Sequence, residues 1–312
     1  MADGGLHRLV VLHGREIARE MVPAERRPLV DIAAEILADD AQRIGISYAG
    51  FALTSLPHKR LPDDAVWEKR GHRVTLLVEP GRMKRRGGPA RLYGVPYGAR
   101  ARMILLYLQT QAVRTGSREV ELGRSMRDWL ERMGIAVGGE TVSSLRDQAA
   151  RISACTLKFF WDDGETEGWA RGGIVSSGLR FAAADDNQPS LWEDRVVLDE
   201  VFWRALRAHP VPLREAAIRE LRDRSMSLDI YVWLAYRLHQ LERSTPIRWP
   251  ALQAQFGTGF KELRHFRAGF VKALDAALAA YPEAKVSVDD DGVVLHPSRP
   301  AVSRPMLTPA RA

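Results

Sequence analysis

One order of predicted elements occurs twice along the sequence, and this repetition constrains the fold more than any other feature. The order is a long apolar helix, a short strand, a short helix, a helix with one polar face, and a β-hairpin. The first copy begins near residue 97 and the second near residue 226. A chain with this organisation is expected to contain two similar modules in tandem.

The first copy has capping residues where the pattern requires them. Residues 97–116 are apolar on several sides and predict a buried helix that ends near Gly116. Residues 118–122 alternate like a short strand. Ser125 and Asp128 then match the S-x-x-D capping box at the start of a short helix.

A polar-faced helix is predicted over residues 140–153, after a turn that begins at Gly134. Its exposed side carries Ser143, Ser144, Asp147 and Arg151, with Arg146 at the flank. Because Glu140 also lies there, this face is only weakly cationic. The segment CTLKFFW, the turn DDG and the segment GGIVSSGLRF then predict a hairpin.

The second copy ends in a more strongly polarised helix. A long apolar helix over residues 226–242 and the strand TPIRW lead to a short helix that Pro250 opens and Gly257 closes. A helix from residue 260 to about residue 280 follows, and the Asp-Gly turn of KVSVDDDGVVLHP predicts a hairpin. On a helical wheel, apolar and cationic residues of this last helix separate. The apolar side has Leu263, Phe266, Phe270 and Leu274, and the cationic side has Lys261, Arg264, His265 and Lys272.

The small residues Ala268 and Gly269 lie between those cations, so a flat or grooved partner can approach closely. A helix-turn-helix followed by a hairpin is the winged-helix arrangement, in which the later helix enters the DNA major groove and the hairpin lies along the backbone. We therefore predict an α+β, helix-rich fold with two tandem winged-helix modules and an N-terminal extension. The predicted segments are 1–96 as an N-terminal helix and extended part, 97–198 as the first module, 199–298 as the second module, and 299–312 as a disordered tail.

The overall charge favours an acidic partner. Among 312 residues, 46 Lys and Arg outnumber 39 Asp and Glu, which gives a formal net charge of +7. Such a surface attracts polyanions, with nucleic acid as the leading candidate. No apolar window is long enough to cross a bilayer and no signal peptide is evident, so we expect a cytoplasmic protein without membrane contact.

The sequence lacks the usual catalytic and cofactor motifs. Its eight His residues include no H-x-H pair of the kind that holds a metal in rolling-circle nickases, and no G-x-x-x-x-G-K-[ST] phosphate loop occurs. The single Cys155 is interpreted as a buried hydrophobe, and residues 289–291 as turn residues rather than a metal site. The basic loop 82–86 is interpreted as a solvated connector, with phosphate contact as the alternative. We therefore predict no enzyme activity, no metal and no cofactor.

Several segments resemble one known family. LPHKRLPDDAVWEK, TLLVEPG, VPYGARARMILLYLQTQAVRTGSREVELGRSMRDWLERMG, SLDIYVWLAYRLHQL and WPALQAQFG are together similar to the plasmid replication initiators of the RepA type. The resemblance implies a protein that binds repeated double-stranded DNA sequences at a plasmid origin and helps to open the duplex. It also implies recruitment of host replication proteins, such as the host initiator and helicase, and a homodimer that represses its own gene.

Carried over by topology, the resemblance places the DNA-binding residues on the two polar-faced helices. They are Lys261, Arg264, His265, Arg267 and Lys272 on the second helix, and Ser143, Ser144, Arg146 and Arg151 on the first. Two alternatives stay open. A DNA-binding transcriptional repressor would use the same interface, whereas a DNA-nicking or strand-transfer enzyme would need a Tyr nucleophile such as Tyr97 or Tyr107.

Overall fold

The computed structural model describes residues 4–84, 88–162, 167–177 and 195–302. The chain divides into two compact units, one made of Met1–Gly45 with Val211–Ala312 and the other of Ile46–Pro210. These bounds differ from those of the four predicted segments, because compactness depends on contacts between residues that are far apart in sequence. We refer to them below as the discontinuous unit and the central unit.

Helices and strands are mixed along the described residues, in agreement with the predicted α+β class. Up to residue 154 the elements are α1 (Gly4–Glu20), α2 (Arg27–Leu37), β1 (Ile44–Tyr48), α3 (Ala49–Leu53), β2 (Trp67–Gly71), β3 (Val74–Glu79), β4 (Gly81–Lys84), β5 (Ala90–Tyr93), α4 (Gly98–Thr115), β6 (Glu119–Glu121), α5 (Met126–Arg132) and α6 (Gly139–Ala154). The later elements are β7 (Thr156–Asp162), β8 (Glu167–Gly172), β9 (Val175–Ser177), β10 (Arg195–Leu198), α7 (Glu200–Ala208), β11 (Pro210–Arg214), α8 (Glu215–Glu220), α9 (Ser225–Arg237), β12 (Thr245–Arg248), α10 (Trp249–Phe256), α11 (Leu263–Ala279), β13 (Val286–Val288) and β14 (Gly292–Leu295).

An aromatic core holds the C-terminal part of the discontinuous unit together. The Phe256 ring of α10 lies 5.3 Å from the Trp233 ring of α9 and 5.5 Å from the Phe270 ring of α11, measured between centroids. Phe266 and Phe270 are fully buried, which confirms the core face predicted for this helix. Aromatic pairs of this kind contribute about 0.5–1.5 kcal/mol beyond the area they bury. The polar face of α11 is therefore turned away from α9 and α10.

The N-terminal helices of the same unit cover the end of α11. Arg15 of α1 donates hydrogen bonds to Asp31 at 2.9 Å and to Glu35 at 2.8 Å, both on α2, and α2 packs against α11. The Nε2 atom of His7 lies 2.9 Å from the carbonyl oxygen of Ala279, the last residue of α11. The C-terminal half of α11 is thereby enclosed, and only its N-terminal half has an open polar face.

A four-stranded antiparallel sheet in the order β2-β3-β7-β8 dominates the central unit. Val74 of β3 pairs with Trp161 and Val78 pairs with Leu157, and alternate residues of β3 are buried. The ring of Phe159 on β7 lies 5.0 Å from that of Tyr48 in an edge-on contact. Because β7 follows α6 directly in the chain, the end of α6 lies beside this sheet.

Both repeats have the same three-stranded sheet. One consists of β6, β10 and β9 with β10 in the middle, and the other of β12, β14 and β13 with β14 in the middle. In each, the strand after the long helix pairs antiparallel with the last strand of the repeat. The helices enclosed by these strands are α5 and α6 in the central unit and α10 and α11 in the discontinuous unit. By this topology, α6 and α11 are equivalent helices.

The hairpin predicted directly after α6 is wrong in its pairing. CTLKFFW forms β7, but β7 pairs with β3 on one side and β8 on the other. The segment GGIVSSGLRF contributes β9, which pairs with β10 instead. The predicted turn DDG and residues 178–181 extend outside the described residues. β7 and β8 are therefore inserted between α6 and the strands that correspond to β13 and β14.

Predictions from local capping signals were confirmed. The backbone N–H of Asp128 donates to Ser125 Oγ at 3.1 Å, as the capping box requires. Gly116 and Gly134 both have a φ of 66°, the left-handed conformation that glycine adopts after a helix. Among the described residues, no helix combines the length and the apolar character needed to cross a membrane.

The start of the predicted disordered tail is held against the discontinuous unit. The hydroxyl of Tyr281 donates to the carbonyl oxygen of Arg299 at 2.7 Å, and Arg214 Nε donates to that of Ala301 at 2.7 Å. Ala301 is buried. Residues 303–312 lie outside the described residues.

Candidate nucleic-acid interface

The open face of α11 contains most of the predicted cations. Arg264, His265 and Lys272 are exposed, and the exposed Ala268 lies between them. Arg264 and Lys272 are about 80° apart around the helix axis and about 12 Å apart along it. We call Arg264, His265, Ala268 and Lys272 the cationic face of α11. This face is one continuous surface within reach of a single partner.

Two details at the start of α11 differ from the prediction. The helix begins at Leu263 and not at residue 260, so the exposed Lys261 lies in the preceding turn. Leu263 was predicted to be in the core, yet 37% of it is exposed. The predicted wheel extended the helix by three residues, because periodicity does not show that Glu262 has an extended backbone, with a φ of −108° and a ψ of 132°.

Gly269 was predicted to keep the polar face open, but it accommodates an internal contact. A Cβ atom at this position would lie 3.1 Å from the Phe260 ring. Phe260 in turn lies 5.8 Å from the ring of Phe266, measured between centroids. Gly269 therefore lets the turn before α11 pack onto the helix. Ala268 alone is the small side chain that allows a partner to approach the cationic face closely.

Arg267 is held by neighbours inside its own unit. Its guanidinium lies 5.0 Å from the centre of the Trp249 ring, and its Nη2 atom is 3.9 Å from Asp290 Oδ1. Trp249 also fixes the hairpin tip, since its Nε1 donates to the carbonyl oxygen of Asp290 at 3.0 Å. Sequence reasoning missed these partners, because no local signal joins residues 249, 267 and 290.

The tip of the β13–β14 hairpin is acidic. Asp289 Oδ1 accepts hydrogen bonds from the backbone N–H groups of Asp291 and Gly292, which closes the turn. Asp290 is fully exposed. A tip with three carboxylates repels phosphate. Contact of this tip with a DNA backbone, as expected for a winged-helix hairpin, is therefore unfavourable.

The cationic face of α11 ends near Asp275. Burial raises the pKa of this carboxyl group, although the charge of Arg26 opposes the shift. Asp275 is partly enclosed because α2 packs against this part of α11. The usable face thus spans residues 264–272.

The equivalent helix α6 presents a weaker face. Ser143 is exposed, whereas Ser144 and Arg146 are half-buried. The Nε atom of Arg146 is buried without a hydrogen-bond partner among the described residues. Glu140 and Asp147 also flank this face, so α6 can offer hydroxyl groups to a partner but little positive charge.

The prediction that Arg151 is exposed on the polar face of α6 is wrong. Its side chain is only 2% exposed and donates to Asp147 at 2.8 Å and to Asp63 at 3.0 Å. Its guanidinium also lies 5.2 Å from the centre of the Tyr97 ring. Burial raises the pKa of Asp63, but the hydrogen bonds and charges of Arg151 and Arg60 lower it by more, so the net pKa is below the usual value. Arg151 is a buried structural residue because segments far away in sequence cover the end of α6.

The candidate nucleophiles are engaged elsewhere. Tyr107 is buried, its hydroxyl donates to the carbonyl oxygen of Glu121 at 2.8 Å, and burial raises its pKa. Tyr97 lies under the Arg151 guanidinium. Cys155 Sγ donates to the carbonyl oxygen of Gly94 at 3.4 Å, and burial raises the pKa of this thiol to about 12. A group that is held protonated in this way is a poor nucleophile.

Comparison with solved structures supports the fold. A crystal structure of domains 2 and 3 of RctB, as the selenomethionine derivative, superposes with a TM-score of 0.52 at 12% sequence identity, and the alignment covers 82% of this chain and 99% of that one. A second crystal structure of RctB domains 2–3 gives a TM-score of 0.46 at 14% identity, covering 78% of this chain and 93% of that one. No curated protein matches the chain. At these identities the similarity concerns the fold alone.

Comparison with protein families is more specific. Residues 95–249 match the family described as "Plasmid encoded RepA protein". The matched range contains α4, β6, α5 and α6, the four elements that begin the first repeat, and extends to the start of α10. The family match supports a role in replication initiation. This match over residues 95–249 supports a plasmid replication initiator of the RepA family.

Proposed function

We propose that the protein initiates plasmid replication by binding repeated double-stranded DNA sites at the origin. In this proposal the two repeats act as winged-helix modules, with α6 and α11 as their recognition helices. Binding promotes opening of the origin and recruits host replication proteins, and the protein also forms homodimers. The family match supports the replication role, and the modules account for the DNA contacts.

The cationic face of α11 is the observation that carries the DNA-binding part. The B-DNA major groove is about 12 Å wide and admits one helix, whose Arg and Lys side chains can contact guanine or phosphate. Arg264, His265 and Lys272 are exposed between residues 264 and 272 of α11, and the small Ala268 lies between them. A single α11 can therefore enter the groove closely while it neutralises phosphates.

The two recognition helices would contribute differently. α11 supplies charge, with Lys261 in the turn before it, whereas α6 supplies the hydroxyl groups of Ser143 and Ser144. Neutral donors of this kind position a helix or contact base edges but release few counterions. We expect α11 to dominate affinity.

The proposed reaction involves no covalent step on DNA. Tyr107 is buried and its hydroxyl donates a hydrogen bond to the carbonyl oxygen of Glu121. The ring of Tyr97 lies under the guanidinium of Arg151. Incubation of supercoiled origin DNA with protein and Mg²⁺ should give neither a nick nor a protein–DNA adduct. A covalent adduct mapped to a Tyr would replace this part of the proposal with strand-transfer chemistry.

Footprinting on the plasmid's own origin tests the proposal directly. If both modules engage the duplex, the protected patches should be about one or two helical turns apart, at 10–10.5 base pairs per turn. A plasmid that carries only this origin should replicate when the protein is supplied in trans. Protection of a promoter operator without replication would instead identify a repressor.

A further inference from the structure

The β4–β5 hairpin is a separate two-stranded element whose base is fixed beside the end of α6. β4 and β5 pair antiparallel and both pack against α6. A Cβ atom on Gly81 would lie 1.7 Å from the carbonyl oxygen of Ala154, so only glycine lets β4 begin this close to α6. At the other strand, a Cβ atom on Gly94 would lie 2.7 Å from the Asp63 backbone. These close approaches fix the position of the hairpin relative to α6.

Two cations of the hairpin have no carboxylate partner among the described residues. Arg82 and Lys84 alternate with Gly81 and Met83, so their side chains are on one face of β4, and both are exposed. Residues 81–93 include no Asp or Glu. Within the described part of the chain, neither Arg82 nor Lys84 forms an ion pair.

Three acidic residues beside the base of the hairpin are already paired. Glu79, directly before β4, lies 2.7 Å from Lys158 Nζ. Asp63 and Asp147, near the base of the hairpin, are both held by Arg151. The positive charge of Arg82 and Lys84 is therefore not compensated locally.

We propose that the β4–β5 hairpin binds the sugar–phosphate backbone of the same duplex that α6 contacts, with Arg82 and Lys84 each neutralising one phosphate. This inference rests on the proposed function. It explains how a module whose recognition helix offers mainly Ser143 and Ser144 obtains electrostatic affinity. Two side chains on one face of a strand are about 6.8 Å apart, a spacing that lets both reach phosphates of one DNA strand. The hairpin is a phosphate-binding arm and not a solvated connector.

Arg82→Gln combined with Lys84→Gln tests this inference, because it removes two charges and keeps much of the side-chain length. Arg70→Gln combined with Arg73→Asn is the matched control. These residues belong to the β2–β3 hairpin, which is part of the four-stranded sheet, and Asn tolerates the φ of 61° at position 73. Binding to the origin site and to a scrambled duplex of equal length is measured by fluorescence anisotropy between 50 and 200 mM salt, with the thermal melt of each variant as the folding check.

The Arg82 and Lys84 variant should lose about five- to ten-fold in affinity for both duplexes, and the slope of log K against log salt should become shallower by about 1.8, or 0.9 per phosphate. The variant that exchanges the two cations, Arg82→Lys with Lys84→Arg, should have the affinity and salt slope of the wild type, and so should the control.

An unchanged salt slope in the Arg82 and Lys84 variant, or an equal loss of affinity in the control, would overturn the phosphate-binding arm while the proposed function stands. A loss confined to the origin site would also overturn it, since the residues would then contact bases. Failure of the wild type to bind any duplex would instead remove the proposed function itself.

Discussion

The guanidinium of Arg267 lies 5.0 Å from the centre of the Trp249 ring and 3.9 Å from Asp290 at the tip of the β13–β14 hairpin. This contact links α11 to the hairpin of its own repeat. Since Asp290 is fully exposed, the ion pair adds little to stability. The carboxylate of Asp290 nevertheless competes with any DNA phosphate for the guanidinium of Arg267.

Replacement of Asp290 by Asn should therefore strengthen DNA binding. We expect about three- to ten-fold tighter binding and a salt slope steeper by about 0.9, as Arg267 becomes able to neutralise a phosphate. The melting temperature should not change measurably. Asp291→Asn removes the same charge from the tip without touching Arg267, so an equal gain in both variants would show that general repulsion, and not the hold on Arg267, limits binding.

Replacement of Arg151 by Ala should destabilise the protein. The change leaves Asp63 and Asp147 without their shared cation. We expect the free energy of unfolding to fall by about 2–3 kcal/mol, which is below the range for a fully buried pair because both carboxylates are partly exposed. Chemical denaturation measures this loss. Arg127→Ala, which breaks an exposed pair with Glu131, should change stability by less than about 0.5 kcal/mol. If the Arg151 variant were as stable as the wild type but bound DNA more weakly, Arg151 would be a DNA-binding residue and not a structural one.

Local and long-range features of the fold differ in how far the sequence predicts them. The capping box of Ser125 and Asp128 was predicted correctly, since it depends on residues three positions apart. The burial of Arg151 was not, because Asp63 and Tyr97 come from distant segments. β7 was predicted correctly as a strand, but its pairing with β3 was not predicted, since β3 precedes it by several elements.

The candidate site divides in the same way. Arg264, His265 and Lys272 were predicted correctly to be exposed, because the helical period alone places them opposite Phe266 and Phe270. The covering of the C-terminal half of α11 could not be predicted, since it depends on contacts with α2. The role of each residue in DNA binding stays a prediction.

Asp275 provides a test by pH. Burial raises the pKa of this carboxyl group in the folded state, so its ionised form destabilises the fold at neutral pH. Asp275→Asn should increase the free energy of unfolding slightly at pH 7. The difference should shrink as the pH falls toward the unfolded-state pKa of about 3.9, below which the carboxyl group is neutral in both states. A variant that is less stable at pH 7 would show that Asp275 makes a favourable contact when ionised.

The thiol of Cys155 should be unreactive in the folded protein. Burial raises its pKa to about 12, so almost none of it is thiolate at pH 7.5. A thiol reagent should label the protein only after denaturant is added, at the rate of unfolding. Rapid labelling under native conditions would show that Cys155 is accessible and ionised.

The central claim is that the cationic face of α11 binds duplex DNA. The most direct test is to measure the affinity for the origin site of the double variant Arg264→Ala with Lys272→Ala. Arg8→Ala with Arg27→Ala removes the same charge from exposed positions in the same unit and serves as the control. We predict that the α11 variant loses at least about ten-fold in affinity and about 1.8 in salt slope, while its melting temperature and the control stay at wild-type values. Equal affinities of the α11 variant, the control and the wild type would contradict the account.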